Sequence, residues 1–145
     1  AGAIQYSDGA GGFNSEAADF FWDNGDSHAV IGNAADYVTA IGEDAAINMA
    51  VGSQYINALG YRAARSNNGD EINAFGRSAA RLSRGNRINA FGSFAAENNQ
   101  GSYVNALGGT AAQQNTGNYV NALGESAANY NIGDNVNARN KRQHY

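Results

Sequence analysis

The sequence predicts an all-β chain: a parallel β-solenoid of 16-residue coils preceded by a small β-hairpin region. Three observations carry that prediction. A 16-residue unit recurs without insertion from Ile56 onward. Each unit opens on a β-branched residue and holds two glycines. No stretch shows the 3.6-residue apolar stripe of an amphipathic helix. Units this short are also unlike helical repeats, whose familiar versions run to about 33 residues or more.

The elements follow in chain order. Within residues 1–32, Ile4-Gln5-Tyr6 and Phe20-Phe21-Trp22 read as strands, separated by the glycine-rich stretch Asp8-Gly9-Ala10-Gly11-Gly12. Asp23-Asn24-Gly25-Asp26 reads as a tight turn from which His28-Ala29-Val30-Ile31 returns. Residues 33–55 read as irregular transition coils. Aliphatic-glycine steps end Ala29-Val30-Ile31-Gly32, Val38-Thr39-Ala40-Ile41-Gly42 and Met49-Ala50-Val51-Gly52, spaced ten, ten and then eight residues before Gly60.

Residues 56–138 carry the regular repeat. Its opening residue falls at Ile56, Ile72, Ile88, Val104, Val120 and Val136. Asn follows at Asn57, Asn73, Asn89, Asn105, Asn121 and Asn137, then Ala at Ala58, Ala74, Ala90, Ala106, Ala122 and Ala138. Next come Leu59, Phe75, Phe91, Leu107 and Leu123, and then Gly60, Gly76, Gly92, Gly108 and Gly124. An Ala-Ala pair recurs from Ala63-Ala64 to Ala127-Ala128, and a second glycine at Gly69, Gly85, Gly101, Gly117 and Gly133. One unit is therefore read as one coil. Ile-Asn-Ala-Leu forms a short strand, a glycine bends the chain, the Ala-Ala pair forms a second short strand, and the N-x-G segment turns it back. Equivalent strands then stack at about 4.8 Å from coil to coil.

Strand alternation puts Ile and Ala on one face and Asn and Leu or Phe on the other. A coil of this size encloses little space, so the Ile/Ala face is read as the interior. The Leu59, Phe75, Phe91, Leu107, Leu123 column then forms an exposed apolar ridge that needs a partner, and self-association supplies one. The reverse assignment, with the Leu/Phe ridge inside and the Ala face solvated, is the plainer alternative. The Asn column is read as a structural ladder of side chains bonded coil to coil. In the sixth unit Arg139 stands where Leu is expected, and residues 139–145 form a basic tail.

Composition removes several classes of function. With no Cys there is no disulfide framework, thiolate metal site or thiol nucleophile. A net charge of −4 argues against neutralising nucleic-acid phosphates. No apolar run approaches the roughly 20 residues that span a bilayer, and the start has neither the basic nor the apolar region of a secretion signal. His28 and His144 lie at opposite ends without metal-ligand partners. Asp8, Asp23 and Asp26 lack EF-hand spacing and read as turn aspartates, so no cofactor or metal is expected. Glu43, Asp44 and Glu125 show no paired spacing for glycoside hydrolysis, and no nucleophile or phosphate-loop motif appears. The arginines at 62, 65, 77, 81, 84 and 87 read as a solvated face with inter-chain ion pairs, or as a receptor-contact patch.

The repeated V-N-A-L-G-x-x-A-A, closed by a second glycine, resembles the A-x-G-x-x-A units of trimeric autotransporter adhesin heads over roughly residues 29–138. The resemblance implies a left-handed β-roll, intertwined or packed as a homotrimer. Those heads place an aliphatic residue where this chain has Asn. The N-terminal pattern G-x-I-Q-Y-x-D-G-x-G-x-F, then F-x-W-D, resembles a segment of bacteriophage tail fibre and tail spike proteins. Gln5, Gly9, Phe13, Trp22, Asp23 and Gly32 carry that match. Together the two resemblances imply a non-enzymatic fibre segment, in a virion or at a cell surface. Such a segment presents or spaces a surface that binds a host glycan or protein. The alternatives are a trimeric bacterial adhesin head, a fibre-borne glycan hydrolase and an ice-binding solenoid. Ice binding usually needs a regular Thr array, and here Thr occurs only at 39, 110 and 116.

Overall fold

The computed structural model describes residues 20–23, 28–31, 37–50 and 53–139. They form one nine-stranded sheet whose strands lie side by side in chain order. Strands β1 (Phe20–Asp23) and β2 (His28–Ile31) pair antiparallel as a hairpin. Strand β2 pairs antiparallel with β3 (Val38–Ile41), so the hairpin covers that edge of the parallel stack. From β3 onward every pairing is parallel, through β4 (Ile56–Leu59), β5 (Ile72–Phe75), β6 (Ile88–Phe91), β7 (Val104–Leu107), β8 (Val120–Leu123) and β9 (Asn137–Arg139). Register is one coil per step: Ile56 faces Ile72, Asn57 faces Asn73, and so on down the stack. The chain is a parallel β-solenoid of about six coils. Strand Ile4-Gln5-Tyr6 and the turn residues Asn24 to Asp26 fall outside the described residues.

The first coil starts earlier than the sequence rhythm suggests. Val38-Thr39-Ala40-Ile41 takes the full strand register against Ile56-Asn57-Ala58-Leu59, so coil one is 18 residues long. Of the Met49-Ala50-Val51-Gly52 step, Met49 and Ala50 are described and are not strand, and Val51 and Gly52 fall outside the described residues. Ala50 N–H donates to Asn67 O, which places this segment on the far side of the coil.

The interior is made of small side chains in columns. Ile56, Ile72, Ile88 and Val104 are fully buried, as are the alanines at 58, 74, 90 and 106 and both members of the pairs 63–64, 79–80, 95–96 and 111–112. The strand's burial alternates in β4 as buried, exposed, buried, exposed, which follows from its period of two.

The Ala-Ala segment is not a second strand. Ala63 N–H donates to Gly60 O, Arg65 N–H to Arg62 O and Asn67 N–H to Ala64 O, at 3.2–3.3 Å. Arg62, Ala64 and Ser66 have φ of 57°, 51° and 54°. Of the two central residues of each turn, only the second therefore has positive φ, the mark of a type II turn, and three such turns run in tandem. The N–H groups of the left-handed residues bond alternately backward and forward: Arg62 to Glu43 O, Ala64 to Ala79 O, Ser66 to Ile47 O. The sequence suggests a strand here because the apolar pair lies between a glycine bend and an N-x-G turn. The physical reason for the difference is that tandem turns bury two adjacent side chains, which an alternating strand cannot do.

The two glycine columns have different causes. Gly60, Gly76, Gly92, Gly108 and Gly124 have φ between 116° and 137°, a conformation that needs glycine. Gly69, Gly85, Gly101 and Gly117 do not. They are glycine because the coils touch there: a Cβ on Gly85 or Gly101 would lie 1.8 Å from the next glycine's carbonyl oxygen.

Candidate interaction surface

The sheet's outer face carries three columns, because residues two apart on a strand share a face. The middle one is the Asn column. Asn57 Nδ2 donates to Asn73 Oδ1, Asn73 to Asn89 and Asn89 to Asn105, each at 2.8 Å. These side chains are exposed or half-buried and bond along the stack, which leaves the strand amides to the sheet. On one side lie Ile41, Leu59, Phe91 and Leu107, 37–43% exposed, with half-buried Phe75 and Leu123 between and beyond them. Phe75 and Phe91 stack with ring centroids 4.9 Å apart and planes 2° from parallel, the spacing that strand stacking imposes. On the other side lie Tyr37, Tyr55, Glu71, Arg87, Tyr103 and Tyr119, all exposed. Tyr37 stacks on Tyr55 and Tyr103 on Tyr119 at 4.9 and 4.7 Å. Between them, Arg87 Nε donates to Glu71 Oε2 at 3.0 Å and Arg87 Nη1 to the Tyr103 hydroxyl at 2.5 Å. The bond and charge of Glu71 hold the Arg87 guanidinium above its ordinary pKa.

An inner polar column runs opposite the sheet, and the sequence reading did not find it. Asn67, Asn99 and Asn115 are fully buried, with Ser83 in the same column and Asn131 half-buried at its end. Asn115 Nδ2 donates to Asn99 Oδ1 and to Gly117 O, both at 2.7 Å. Its Oδ1 accepts from Asn131 Nδ2 at 2.7 Å and from Gly117 N–H at 3.2 Å. All of its donors and acceptors are thus met inside the coil. The signal was present as N-x-G recurring at the coil period, but that pattern also describes an ordinary surface turn.

The arginines do not form one face. Arg62 Nε lies 3.2 Å and Arg65 Nε 3.5 Å from Asp44 Oδ2. Arg81 pairs with Glu97 at 2.8 Å, and Arg77 lies over the Phe94 ring, 5.0 Å from its centroid. Glu97 is almost buried, and Gln113 Nε2 donates to its second oxygen at 2.8 Å. Arg84 stands apart, exposed in a groove lined by Ser66, Asn68, Leu82, Asn98 and Gln100.

The carboxylates are also dispersed. Glu43 and Glu125 hold the same coil position five coils apart, about 24 Å at roughly 4.8 Å per coil. Asp44 is engaged by its two arginines. Among the described residues no three His, Asp or Glu side chains gather around a common point, and no helix is long and apolar enough to cross a membrane. Asp8, Asp26 and His144 fall outside the described residues. No protein-family model matches this chain, and neither curated proteins nor solved structures yield a match.

Proposed function

We propose that the chain is a non-enzymatic, structural and adhesive fibre segment: a rod of stacked coils that assembles as a homotrimer and spaces or presents a host-binding surface, as in a phage tail fibre. One observation carries the reading. An apolar column of Ile41, Leu59, Phe75, Phe91, Leu107 and Leu123 runs the length of six coils on the sheet's outer face, and no described part of the chain covers it. A continuous ridge of this kind is the usual mark of an interaction surface. Its repeat suits a partner with the same repeat, which a second copy of the chain supplies. The rod itself is the mechanism. Coils bonded along the whole stack resist bending, while the positions that drift from coil to coil face outward and are free to specify contacts.

The test is the mass in solution. Multi-angle light scattering of the whole chain is expected to give three protomers, and a Phe91→Asp, Leu107→Asp variant to give one. A wild-type monomer at micromolar concentration, or a trimer indifferent to both charges, sinks the proposal.

A further inference from the structure

The groove around Arg84 gathers amides and a hydroxyl about one exposed guanidinium. It is bounded by two outward columns on either side of the inner Asn column: Ser66, Leu82 and Asn98 on one side, Asn68, Arg84 and Gln100 on the other. Successive coils place these side chains about 4.8 Å apart. The lining therefore offers three amides, one hydroxyl, the exposed edge of Leu82 and a single guanidinium, with no carboxylate.

That guanidinium has no partner among the described residues, whereas the other five arginines of coils two and three are engaged. Arg62 and Arg65 contact Asp44, Arg81 Glu97, Arg87 Glu71, and Arg77 the Phe94 ring. The acidic groups next in sequence to the groove are turned away from it. Asp70 Oδ1 accepts from Gln54 N–H on coil one at 3.0 Å, and Glu97 is held by Arg81 and Gln113. In a chain of net charge −4, the groove is a positive site kept clear of internal counter-charge.

The backbone decides between ligand classes. Every groove N–H is already bonded between coils: Ser66 to Ile47 O, Asn68 to Ser83 O, Leu82 to Arg65 O, Arg84 to Asn99 O, Asn98 to Arg81 O and Gln100 to Asn115 O. A peptide therefore finds no open edge to pair with. What remains is side-chain amides and a hydroxyl, which suit a ligand rich in hydroxyls, and one fork-shaped cation, which suits an anion that offers two oxygens side by side. We infer that this groove is a binding site for an acidic saccharide, whose carboxylate or sulfate pairs with Arg84 while its hydroxyls bond Asn68, Asn98 and Gln100. The inference rests on the adhesive reading for its purpose and on the groove alone for its chemistry.

Calorimetric titration of the whole chain with oligogalacturonate, its methyl ester, a sulfated dextran oligomer and poly-glutamate tests it. Binding is expected for oligogalacturonate or the sulfated dextran, weakening as salt rises, and absent for the methyl ester. Arg84→Gln should lower affinity at least tenfold, and Arg77→Gln should leave it unchanged, with melting curves alike for all three proteins. The site is refuted if neither acidic saccharide binds, if the ester binds as well as the acid, if Arg84→Gln binds like wild type, or if poly-glutamate binds more tightly. Light scattering on the same samples separates the two claims. A monomer that binds keeps the groove and removes the fibre, and a trimer that does not bind does the reverse.

Discussion

Replacing Ser83 with Asn is expected to stabilise this protein, which is unusual for a buried polar substitution. In coils four to six the inner column is an unbroken chain of amide bonds, with Asn115 meeting four partners at 2.7–3.2 Å. At coil three the shorter Ser83 interrupts it. Asn99 Nδ2 reaches the Ser83 hydroxyl only at 3.4 Å, and Asn67 Oδ1 is buried without a partner. Each Asn in the column donates backward, so an Asn at 83 would donate to Asn67 Oδ1 and accept from Asn99. Relieving one buried unsatisfied acceptor is worth about 1–3 kcal/mol, and each buried bond gained about 1 kcal/mol. Against this stand the Ser83 Oγ bond to Asn99 O at 3.2 Å and the entropy of fixing a longer side chain, about 1 kcal/mol. The net expectation is about 2 kcal/mol in favour of Ser83→Asn. The reverse change, Asn115→Ser, should cost about as much. Urea unfolding at fixed protein concentration reads both as midpoint shifts with unchanged slope, and melting should move by roughly 8 °C in opposite directions. If Asn115→Ser is costly but Ser83→Asn is neutral or destabilising, coil three has no space for the amide and the column argument fails there.

Four further outcomes follow from the coil geometry. Gly85→Ala should unfold the stack, costing more than about 4 kcal/mol, because its Cβ would sit 1.8 Å from Gly101 O. Gly109→Ala, where the nearest atom is 4.0 Å away and φ is not left-handed, should be neutral or stabilising by about 0.5 kcal/mol in the same unfolding assay. At Gln114, exposed with φ of 54°, Gly should exceed Val in stability by about 2 kcal/mol. A true strand there would give the opposite order. Arg81→Met should cost about 2 kcal/mol by stranding the Glu97 carboxylate, 7% exposed, and a second change, Glu97→Gln, should recover much of the loss.

What the sequence made legible was whatever the stack repeats. The coil length, strand positions, buried Ile and Ala columns and outward Leu/Phe column all follow from strict recurrence and period-two alternation. Backbone conformation on the far side was not legible, because Ala-Ala is equally at home in a strand or in tandem turns. Non-glycine residues such as Arg62, Leu82 and Phe94, with φ of 57–60°, give no sign of the left-handed region. The inner amide column was hidden by the same ambiguity, since N-x-G reads first as a solvated turn. The Arg84 groove was invisible for another reason. In sequence its six lining residues fall in three separate units, and only coil stacking brings them side by side.

Strain explains why the repeated letters have so little freedom to vary. Among the described residues, 25 non-glycine residues have positive φ, at four positions in each regular coil. At roughly 1 kcal/mol each, one coil carries about 4 kcal/mol of backbone strain that its own contacts do not offset. The compensation comes from neighbours: the N–H groups of Arg62, Ala64 and Ser66 bond to coils above and below, and those of Ile56 and Gly60 bond to the coil before. Stability therefore resides in the interfaces between coils, and a coil persists only where its neighbours repeat its geometry. The fold constrains the glycines at the contact points, the buried Ile, Ala and Asn, and the ladder on the sheet. Those positions have no freedom left to specify a ligand. The outward positions beside the inner column do have it. There Ser66, Leu82 and Asn98 share one backbone conformation with three different side chains, and the backbone bonds do not depend on which is present.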